Sequence, residues 1–240
     1  MRPVFAPLVV VWLILGAGAA VAQDELLPDP LEPVNRVSHV INKQLDRFFL
    51  RPLSELWEEY VPEPAKVSIL SFNSTWGLPV RGINSALQGK PEEAATSFGR
   101  FGLNSTLGLL GFIDIASEAG LAANDSGFSE TMAVWGVGEG IYVELPGLGP
   151  GSSRDMVGRV VDLFVNPFSA LNPTPGYVQT SATVLDVMDT RASFGPTIDN
   201  VYYESADSYN ALKLITIQQS RRSAAGGVAT EDDFIDIYAE

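Results

Sequence analysis

The chain has 240 residues and a formal net charge of −14, and 46% of its residues are hydrophobic. Nucleic acids and anionic membrane surfaces attract basic patches, so this acidic chain is not expected to bind either of them electrostatically. With one histidine and no cysteine, the sequence excludes cysteine nucleophiles, zinc–cysteine sites and metal sites built from several histidines. We expect one domain, and a mean hydropathy of +0.13 is apolar for a soluble protein.

Residues 1–22 have the pattern of a secretory signal peptide. Arg2 forms a short basic region, residues 8–15 are apolar, and Ala20-Val-Ala22 provides a small-x-small cleavage pattern before Gln23. We predict that this segment is cleaved on export. The alternative is a retained membrane anchor, although the apolar run is short for a membrane span.

The first helix is predicted from Val34 to about Leu50, after an extended, proline-rich segment at residues 23–33. Apolar residues recur along it at spacings of three and four, and His39 lies off this stripe, so we expect a solvated surface histidine rather than a catalytic base. Arg51-Pro52 is predicted to break the helix, because proline disfavours helical geometry in the preceding residue. The apolar stripe consists of Val34, Val37, Ile41, Leu45 and Phe48.

The next segments are predicted from the positions of proline and glycine. A helix opened by Pro52 should end at the break Val61-Pro-Glu-Pro64, with Leu53, Leu56, Trp57 and Tyr60 facing inward. Helical pattern then resumes toward Trp76, Gly77-Leu-Pro79 predicts a turn, and Gly89 is a candidate C-terminal cap after Leu87.

A helix is predicted from Pro91 to about Thr106, with a proline and two glutamates in its first turn. Arg100 and Asn104 lie four residues apart on it, and Asp114 follows soon after. These three polar residues stand in an apolar stretch and must be paired or face water. Two interpretations remain open: a buried, mutually paired structural cluster, or a polar seam that lines a channel for the head group of an amphiphile.

The second half is predicted to be helical around one small hairpin. The predicted elements are a polar loop at 120–127, a helix at 128–134, a small hairpin or loop within 135–151 in which 141–145 has strand composition, a helix from Arg154 to Phe164, a proline-rich loop at 166–176, a helix at 178–192, a helix at 198–222, and a disordered acidic tail at 223–240. The fold class is therefore mainly α, with residues 23–222 as its domain.

No catalytic motif emerges from the sequence. A Gly-x-Ser-x-Gly elbow is absent, and Gly147–Ser153 lacks the lysine of a phosphate loop. Gly136-Val-Gly-Glu-Gly140 matches only half of a dinucleotide fingerprint, without strand–turn–helix context, so we predict turn glycines. We expect neither a catalytic set, nor a metal site, nor a cofactor.

Many short motifs, in one order from residue 29 to 222, resemble the MlaA/VacJ family. They are Asp29-Pro-Leu-Glu-x-x-Asn35-Arg36, Arg51-Pro52, Tyr60-Val-Pro62, Phe72-Asn73, Leu78-Pro79, Asn84, Leu87-Gln-Gly89, Phe98-x-Arg100-Phe101-x-x-Asn104-Ser-Thr106-x-Gly108-x-x-Gly111-x-x-Asp114, Gly136-Val-Gly138-x-Gly140-x-Tyr142-Val-x-Leu145-Pro146-x-x-Gly149, Arg154-Asp155, Arg191, Asp207-x-Tyr209 and Gln219-x-Arg221.

The resemblance implies a fold and a function. It implies a ring of amphipathic helices lying in the membrane plane around an amphipathic pore, in the outer membrane of a Gram-negative bacterium on the periplasmic side. It implies transport of mislocalised phospholipid from the outer leaflet, beside a trimeric porin, to a periplasmic lipid carrier of the Mla pathway. On this basis a glycine-rich loop is expected near the pore, with Gly136, Gly138, Gly140, Tyr142, Leu145 and Pro146.

One departure from the family keeps alternatives open. Many members carry an acylated cysteine after the signal, whereas Gln23 occupies that place here, and Lys213 stands where arginine is usual. We therefore weigh a soluble periplasmic lipid-binding carrier against the channel, and a lipid hydrolase against both. Membrane fractionation separates the first two, and release of fatty acid tests the third.

Overall fold

The computed structural model describes residues 27–165 and 177–225. The predicted signal peptide, the proline-rich loop 166–176 and the tail beyond residue 225 lie outside these ranges. The elements are α1 Glu32–Leu45, α2 Arg51–Tyr60, α3 Glu63–Leu87, α4 Pro91–Thr106, α5 Ile115–Glu118, α6 Phe128–Val134, β1 Tyr142–Leu145, β2 Gly149–Ser152, α7 Ser153–Val165, α8 Tyr177–Ser193, α9 Gly195–Asp199 and α10 Ser208–Ala224. Two π-helical segments, Asp46–Leu50 and Asn200–Glu204, follow α1 and α9.

The predicted break at Arg51-Pro52 is wrong, because α1 continues through the π-helical segment into α2. Arg51 has helical dihedrals (φ −59°, ψ −57°), and its N–H donates to the carbonyl of Asp46, five residues earlier. Pro52 has no N–H to give to the helical ladder, and the wider π turn lies immediately before it. The helix therefore continues through Arg51 and Pro52, with hydrogen bonds five residues apart in place of four.

The predicted turn at Gly77-Leu78-Pro79 is also wrong, because α3 runs unbroken from Glu63 to Leu87 with Pro79 inside it. Proline removes one bond of the helical ladder, but α3 packs against α4 and α8, and tertiary packing outweighs the local preference. The expected helix end is confirmed: Gly89 has a φ of +76°, the left-handed conformation that favours glycine after a helix.

Other predicted bounds are confirmed. Helix α4 spans Pro91–Thr106 and α6 spans Phe128–Val134, as expected. The strands β1 and β2 form an antiparallel hairpin, with Tyr142 opposite Ser152.

The predicted helix 198–222 is instead divided, because the side chain of Asp207 caps a new helix by accepting hydrogen bonds from the N–H groups of Tyr209 and Asn210.

The contacts between elements close into a circuit. Helix α2 packs on α8, α8 on α3, α3 on α4 and α6, and α6 on α7 and α10; α10 contacts β2, and β1 contacts α1, which leads back to α2. The hairpin therefore lies between the first and last described helices. Within the described ranges, no helix is both long enough and apolar enough to cross a membrane.

The burial pattern is the reverse of that in a soluble helical protein. Among the described residues, and leaving glycine aside, 21 buried residues are polar or charged and 11 are apolar. The whole apolar stripe predicted for α1 is exposed, and in α2 only Trp57 of the four residues expected inside is buried. Amphipathic spacing predicts two faces of a helix but not which one meets the protein. The inward orientation predicted for Leu53, Leu56 and Tyr60 is therefore wrong.

Candidate functional site

The predicted residues Arg100, Asn104 and Asp114 lie together at the end of α4. Arg100 Nη2 and Asn104 Nδ2 donate to the two carboxylate oxygens of Asp114, each at 2.9 Å. The N–H of Ser117 also donates to Asp114, at 3.1 Å, so this carboxylate caps the short helix α5. We call Arg100, Asn104, Asp114 and Ser117 the Arg100 cluster.

The Arg100 cluster favours the ionised form of Asp114. Partial burial raises the pKa of this carboxyl, but hydrogen bonds from Ser117 and Asn104 and the charge of Arg100 outweigh burial and hold the pKa below its usual range. Asn104 Nδ2 also donates to Thr75 Oγ1 at 3.3 Å, and Gly111, with a φ of +99°, lies against Thr75, where an added Cβ would be 2.7 Å from the threonine Cβ. The three predicted residues are thus mutually paired, and their role in lining a channel stays a prediction.

A second polar cluster joins α1 to the hairpin. The carboxylate of Glu144, on β1, is 1% exposed and accepts hydrogen bonds from Asn42 Nδ2 at 2.9 Å and from the Tyr142 hydroxyl at 3.4 Å. Asn35 binds the backbone of the same strand: its Nδ2 donates to the Tyr142 carbonyl, and its Oδ1 accepts from the Glu144 N–H. With His39, these residues form what we call the hairpin cluster: Asn35, His39, Asn42, Tyr142 and Glu144.

The single histidine is buried, so the predicted surface position of His39 is wrong. Its Nδ1 lies 3.3 Å from both oxygens of Glu144, and its Nε2 lies 2.9 Å from Ser208 Oγ. Hydroxyl, imidazole and carboxylate follow one another in the order that serine hydrolases use. Acyl transfer also needs N–H donors for the oxyanion, and the two N–H groups after Ser208 already donate to Asp207.

The residues expected in a glycine-rich loop divide between the surface and the core. Gly136 and Gly138 are exposed, and so are Leu145 and Pro146 at the tip of the hairpin. Tyr142 is fully buried, and burial raises the pKa of its hydroxyl, as does the charge of Glu144. Gly140 has a φ of +78° and lies against Ser153, so an added Cβ would lie 2.1 Å from the serine Oγ. Their position relative to a pore stays a prediction.

Two further ion pairs were missed by reasoning from single motifs. Asp46 accepts from Arg191 Nε at 2.7 Å and from the Tyr203 hydroxyl at 2.8 Å. Asp29 accepts from Lys213 Nζ at 3.0 Å and from the Tyr209 hydroxyl. Asp29, Arg191 and Tyr209 all belong to the motifs quoted above, but their pairing joins residues 145 to 184 positions apart, which local spacing does not indicate.

A cleft of about 740 Å³, lined mainly by charged residues, opens between α2 and the end of α8 with α9 and the π-helical segment after it. Its lining carries both signs of charge, with Arg51 bound to Glu55 and Asp199 on the wall and Arg191 nearby. The charged lining residues are Arg51, Glu55, Glu58, Glu59, Arg191, Asp199 and Glu204. Over residues 27–165 and 177–225, no three acidic or histidine side chains are grouped to hold a metal ion.

Comparison with known proteins relates this architecture to one family. The model of the MlaA lipoprotein family matches residues 27–223. The intermembrane phospholipid transport system lipoprotein MlaA of Escherichia coli is 31% identical over 242 aligned positions, which cover 95% of each chain. The protein of the same name from Haemophilus influenzae is 36% identical over 144 positions, 58% of each chain.

A solved structure, described as the structural basis for maintenance of bacterial outer membrane lipid asymmetry, is similar to this fold. Its TM-score is 0.72 at 33% sequence identity, and the match covers 82% of this chain and 99% of the other. The mainly helical architecture predicted from the sequence is thereby confirmed.

Proposed function

Since the chain belongs to the MlaA lipoprotein family, we propose that it transports phospholipid between membranes. In this proposal it sits in the outer membrane of a Gram-negative bacterium, on the periplasmic side. It removes mislocalised phospholipid from the outer leaflet through an amphipathic pore and hands it to a periplasmic carrier. The names of the E. coli and H. influenzae relatives support the transport of phospholipid, and the described solved structure supports a role in lipid asymmetry.

The observation that carries the proposal is the reversed burial of the helix circuit. Large apolar side chains face outward along α1 and the π segment after it, where Phe48 is 64% and Phe49 is 62% exposed. A soluble protein rarely exposes a continuous apolar surface of this kind, whereas acyl chains would cover it without cost. We therefore place the circuit of helices within the membrane plane, with its outer face against lipid.

The polar interior supplies the other half of the proposal. In this arrangement the outer faces of the helices meet lipid, and their inner faces carry polar side chains. A polar path for a lipid head group therefore lies on the inner side of the circuit. Acyl chains can stay in the apolar region while the head group crosses. The hairpin cluster and the Arg100 cluster hold this inner side in place, and the charged cleft beside α2 offers a polar opening.

The proposed partners follow from the same scheme. A trimeric porin would border the outward apolar face, and a soluble lipid carrier of the Mla pathway would accept phospholipid at the periplasmic side. The sequence holds no cysteine that could carry an acyl chain, so in this scheme the outward apolar side chains retain the protein in the membrane. A soluble periplasmic carrier is the alternative that this assignment must exclude.

The first experiment is fractionation of the protein in its own host, with high-salt and alkaline washes of the membranes. Retention in the outer membrane is expected, and the double change Val37→Asn with Phe48→Asn should release a substantial part of the protein. Gln44→Asn, an exposed polar position on the same helix, is the matched control and should stay bound. Release of the unaltered protein would favour the soluble carrier.

The second experiment measures lipid transport. Deleting the gene should raise the amount of phospholipid in the outer leaflet, and restoring the chain should lower it again. The variant with both asparagine changes should lower the outer-leaflet phospholipid less well, in proportion to the fraction of the protein that is lost from the membrane. An unchanged outer leaflet in the deletion strain would contradict the proposal.

A second candidate function, hydrolysis of a lipid ester, rests on the order of Ser208, His39 and Glu144. Incubation with phospholipid vesicles should release no fatty acid if these residues are structural. If fatty acid appears, and Ser208→Ala abolishes its release, the hydrolase takes precedence over the transporter.

A further inference from the structure

Buried cations in the described part of the chain follow one rule with one exception. Lys66, Arg100, Arg191 and Lys213 are buried, and each has a carboxylate oxygen within 4.0 Å. Arg154 is equally buried, with 5% of its surface exposed, but no carboxylate among the described residues pairs with it. A buried charge without a partner is unfavourable and therefore calls for an explanation.

The guanidinium of Arg154 is also short of hydrogen bonds. Within residues 27–165 and 177–225, its Nη1 donates to the carbonyl of Val137 at 3.2 Å, while its buried Nε has no partner. A guanidinium has five N–H donors in a planar fork, which matches the oxygens of phosphate and carboxylate groups. Most of that capacity is unused here.

Nearby acidic groups are engaged elsewhere. The carboxylate of Glu139 pairs with Arg221 at 3.2 Å, and the Asp155 carboxylate accepts from Ser129 and from the backbone of Ser152. Arg154 is the second residue of α7, so its charge adds to the positive end of the helix dipole instead of opposing it. Both features favour a negatively charged ligand at this place.

The loop above the guanidinium leaves room for such a ligand. Val137 lies between Gly136 and Gly138, which are both exposed, and an added Cβ at either glycine would meet no atom within 4 Å. The Val137 carbonyl that binds Arg154 thus belongs to an exposed stretch of backbone, which the N–H groups of Gly136 and Val137 tie to α6. If this stretch moved aside, the unpartnered N–H groups of the guanidinium would be open to a bidentate contact with an anion.

We propose that Arg154 is a phosphate-binding residue, whose buried and unpaired guanidinium beneath residues 136–140 receives the phosphate group of a lipid. This inference rests on the proposed transport of phospholipid and names the residue that recognises the head group. The same chemistry fits inorganic phosphate, so the test must separate the two sources.

The test compares binding of two lipids to the purified full chain in detergent micelles: dioleoylphosphatidylethanolamine and dioleoylglycerol, which lacks the phosphate. The unaltered protein should prefer the phospholipid. Arg154→Gln should reduce that preference about tenfold and leave diacylglycerol binding unchanged. Arg159→Gln is the matched control, because Arg159 lies on the same helix and donates to the carbonyls of Leu148 and Pro150 from an exposed position.

The outcomes are distinct. If the unaltered protein prefers phospholipid and Arg154→Gln retains the preference, the phosphate site is wrong and the transport function stands. Equal loss of both lipids in Arg154→Gln would show a purely structural residue and also overturn the site. If the unaltered protein binds neither lipid, the proposed function itself fails. Binding of inorganic phosphate that is lost in Arg154→Gln, together with no preference of the unaltered protein for the phospholipid, would assign the site to free phosphate instead of lipid.

A measurement on the unaltered protein covers the case in which Arg154→Gln does not fold. Phenylglyoxal modifies guanidinium groups, and peptide mass spectrometry gives the extent of modification at each arginine. Arg154, which is 5% exposed, should react slowly, so the reaction is continued until its modification without lipid is measurable. Phosphatidylethanolamine should then lower the modification of Arg154 several-fold and leave Arg159 unchanged, while diacylglycerol should change neither. Equal protection by diacylglycerol, or no protection, would contradict the proposal.

Discussion

The hairpin cluster and the Arg100 cluster contain similar side chains but connect very different parts of the chain. The Glu144 carboxylate is bound by its neighbour Tyr142 and, across 102 to 105 residues, by Asn42 and His39 of α1. Asp114 receives its hydrogen bonds from residues 3 to 14 positions away. The Glu144 side chain is fully buried, whereas about a third of the Asp114 side chain is exposed.

The difference shows that a hydrogen-bonded carboxylate serves two purposes in this fold. In the hairpin cluster it fastens the first described helix to the hairpin and so closes the circuit of elements. In the Arg100 cluster it shapes the turn between α4 and α5 without joining distant segments. Loss of the first should therefore affect the whole fold, and loss of the second a local part of it.

The largest effect is expected from Glu144→Ala. This change leaves buried donors of Asn42, His39 and Tyr142 without their acceptor, so the free energy of unfolding should fall by about 3 kcal/mol or more. Urea unfolding in detergent, followed by tryptophan fluorescence, measures the loss. Glu144→Gln keeps an acceptor for Asn42 and should lose clearly less. A loss under about 1 kcal/mol for Glu144→Ala would remove the distinction between the clusters.

A smaller effect is expected from Asp114→Ala. The free energy of unfolding should fall by about 1–2 kcal/mol, because water can replace part of the pairing of a side chain that is one-third exposed. The same urea titration checks this value. Normal folding with lost lipid transport would instead favour a channel role for Asp114, and normal values of both would contradict either role.

The pH dependence of stability tests whether Asp114 stabilises the fold in its ionised form. Its pKa is lowered in the folded protein, so its contribution to stability is complete above the unfolded value of about 4 and is lost as the pH falls through the folded value. The stability difference between the unaltered protein and Asp114→Asn should be constant from pH 7 to 5, on the order of 1 kcal/mol, and shrink below about pH 4. A difference that grew toward low pH would contradict the assignment.

The smallest expected quantity is the coupling between the clusters. Combining Glu144→Ala with Asp114→Ala should give the sum of the single losses within about 0.5 kcal/mol, since the two sites share no partner. A double-mutant cycle measures this coupling. A coupling energy above about 1 kcal/mol would mean that the clusters act as one network.

The parts of the fold that depend on local chemistry could be predicted from the sequence. Pro91 opens α4 and Gly89 ends α3, because each acts through its own backbone conformation. The Arg100 cluster could be anticipated for the same reason, since its members lie within one stretch of the chain. Long-range pairs such as Asp46 with Arg191 leave no local pattern.

The orientation of the helices could not be predicted in the same way. An apolar stripe on α1 is compatible with a protein core and with lipid. The spacing of the apolar residues does not indicate which of the two surrounds that face. His39 was misplaced because a polar residue was assigned to water, although here polar side chains pack on the inside. Pro52 and Pro79 were misjudged because packing keeps helices continuous across local breakers.

The closure of the circuit has a consequence for the order in which the protein folds. Asp29 is bound by Tyr209 and Lys213, so the segment before α1 acquires these partners only when α10, the last described helix, has been synthesised. Until α10 has been made, the polar face of α1 lacks the contact between His39 and Ser208, and part of that face stays uncovered. Contacts of such high sequence separation form slowly, and intermediates of this kind aggregate. The contacts that close the circuit therefore form only after α10 has been synthesised.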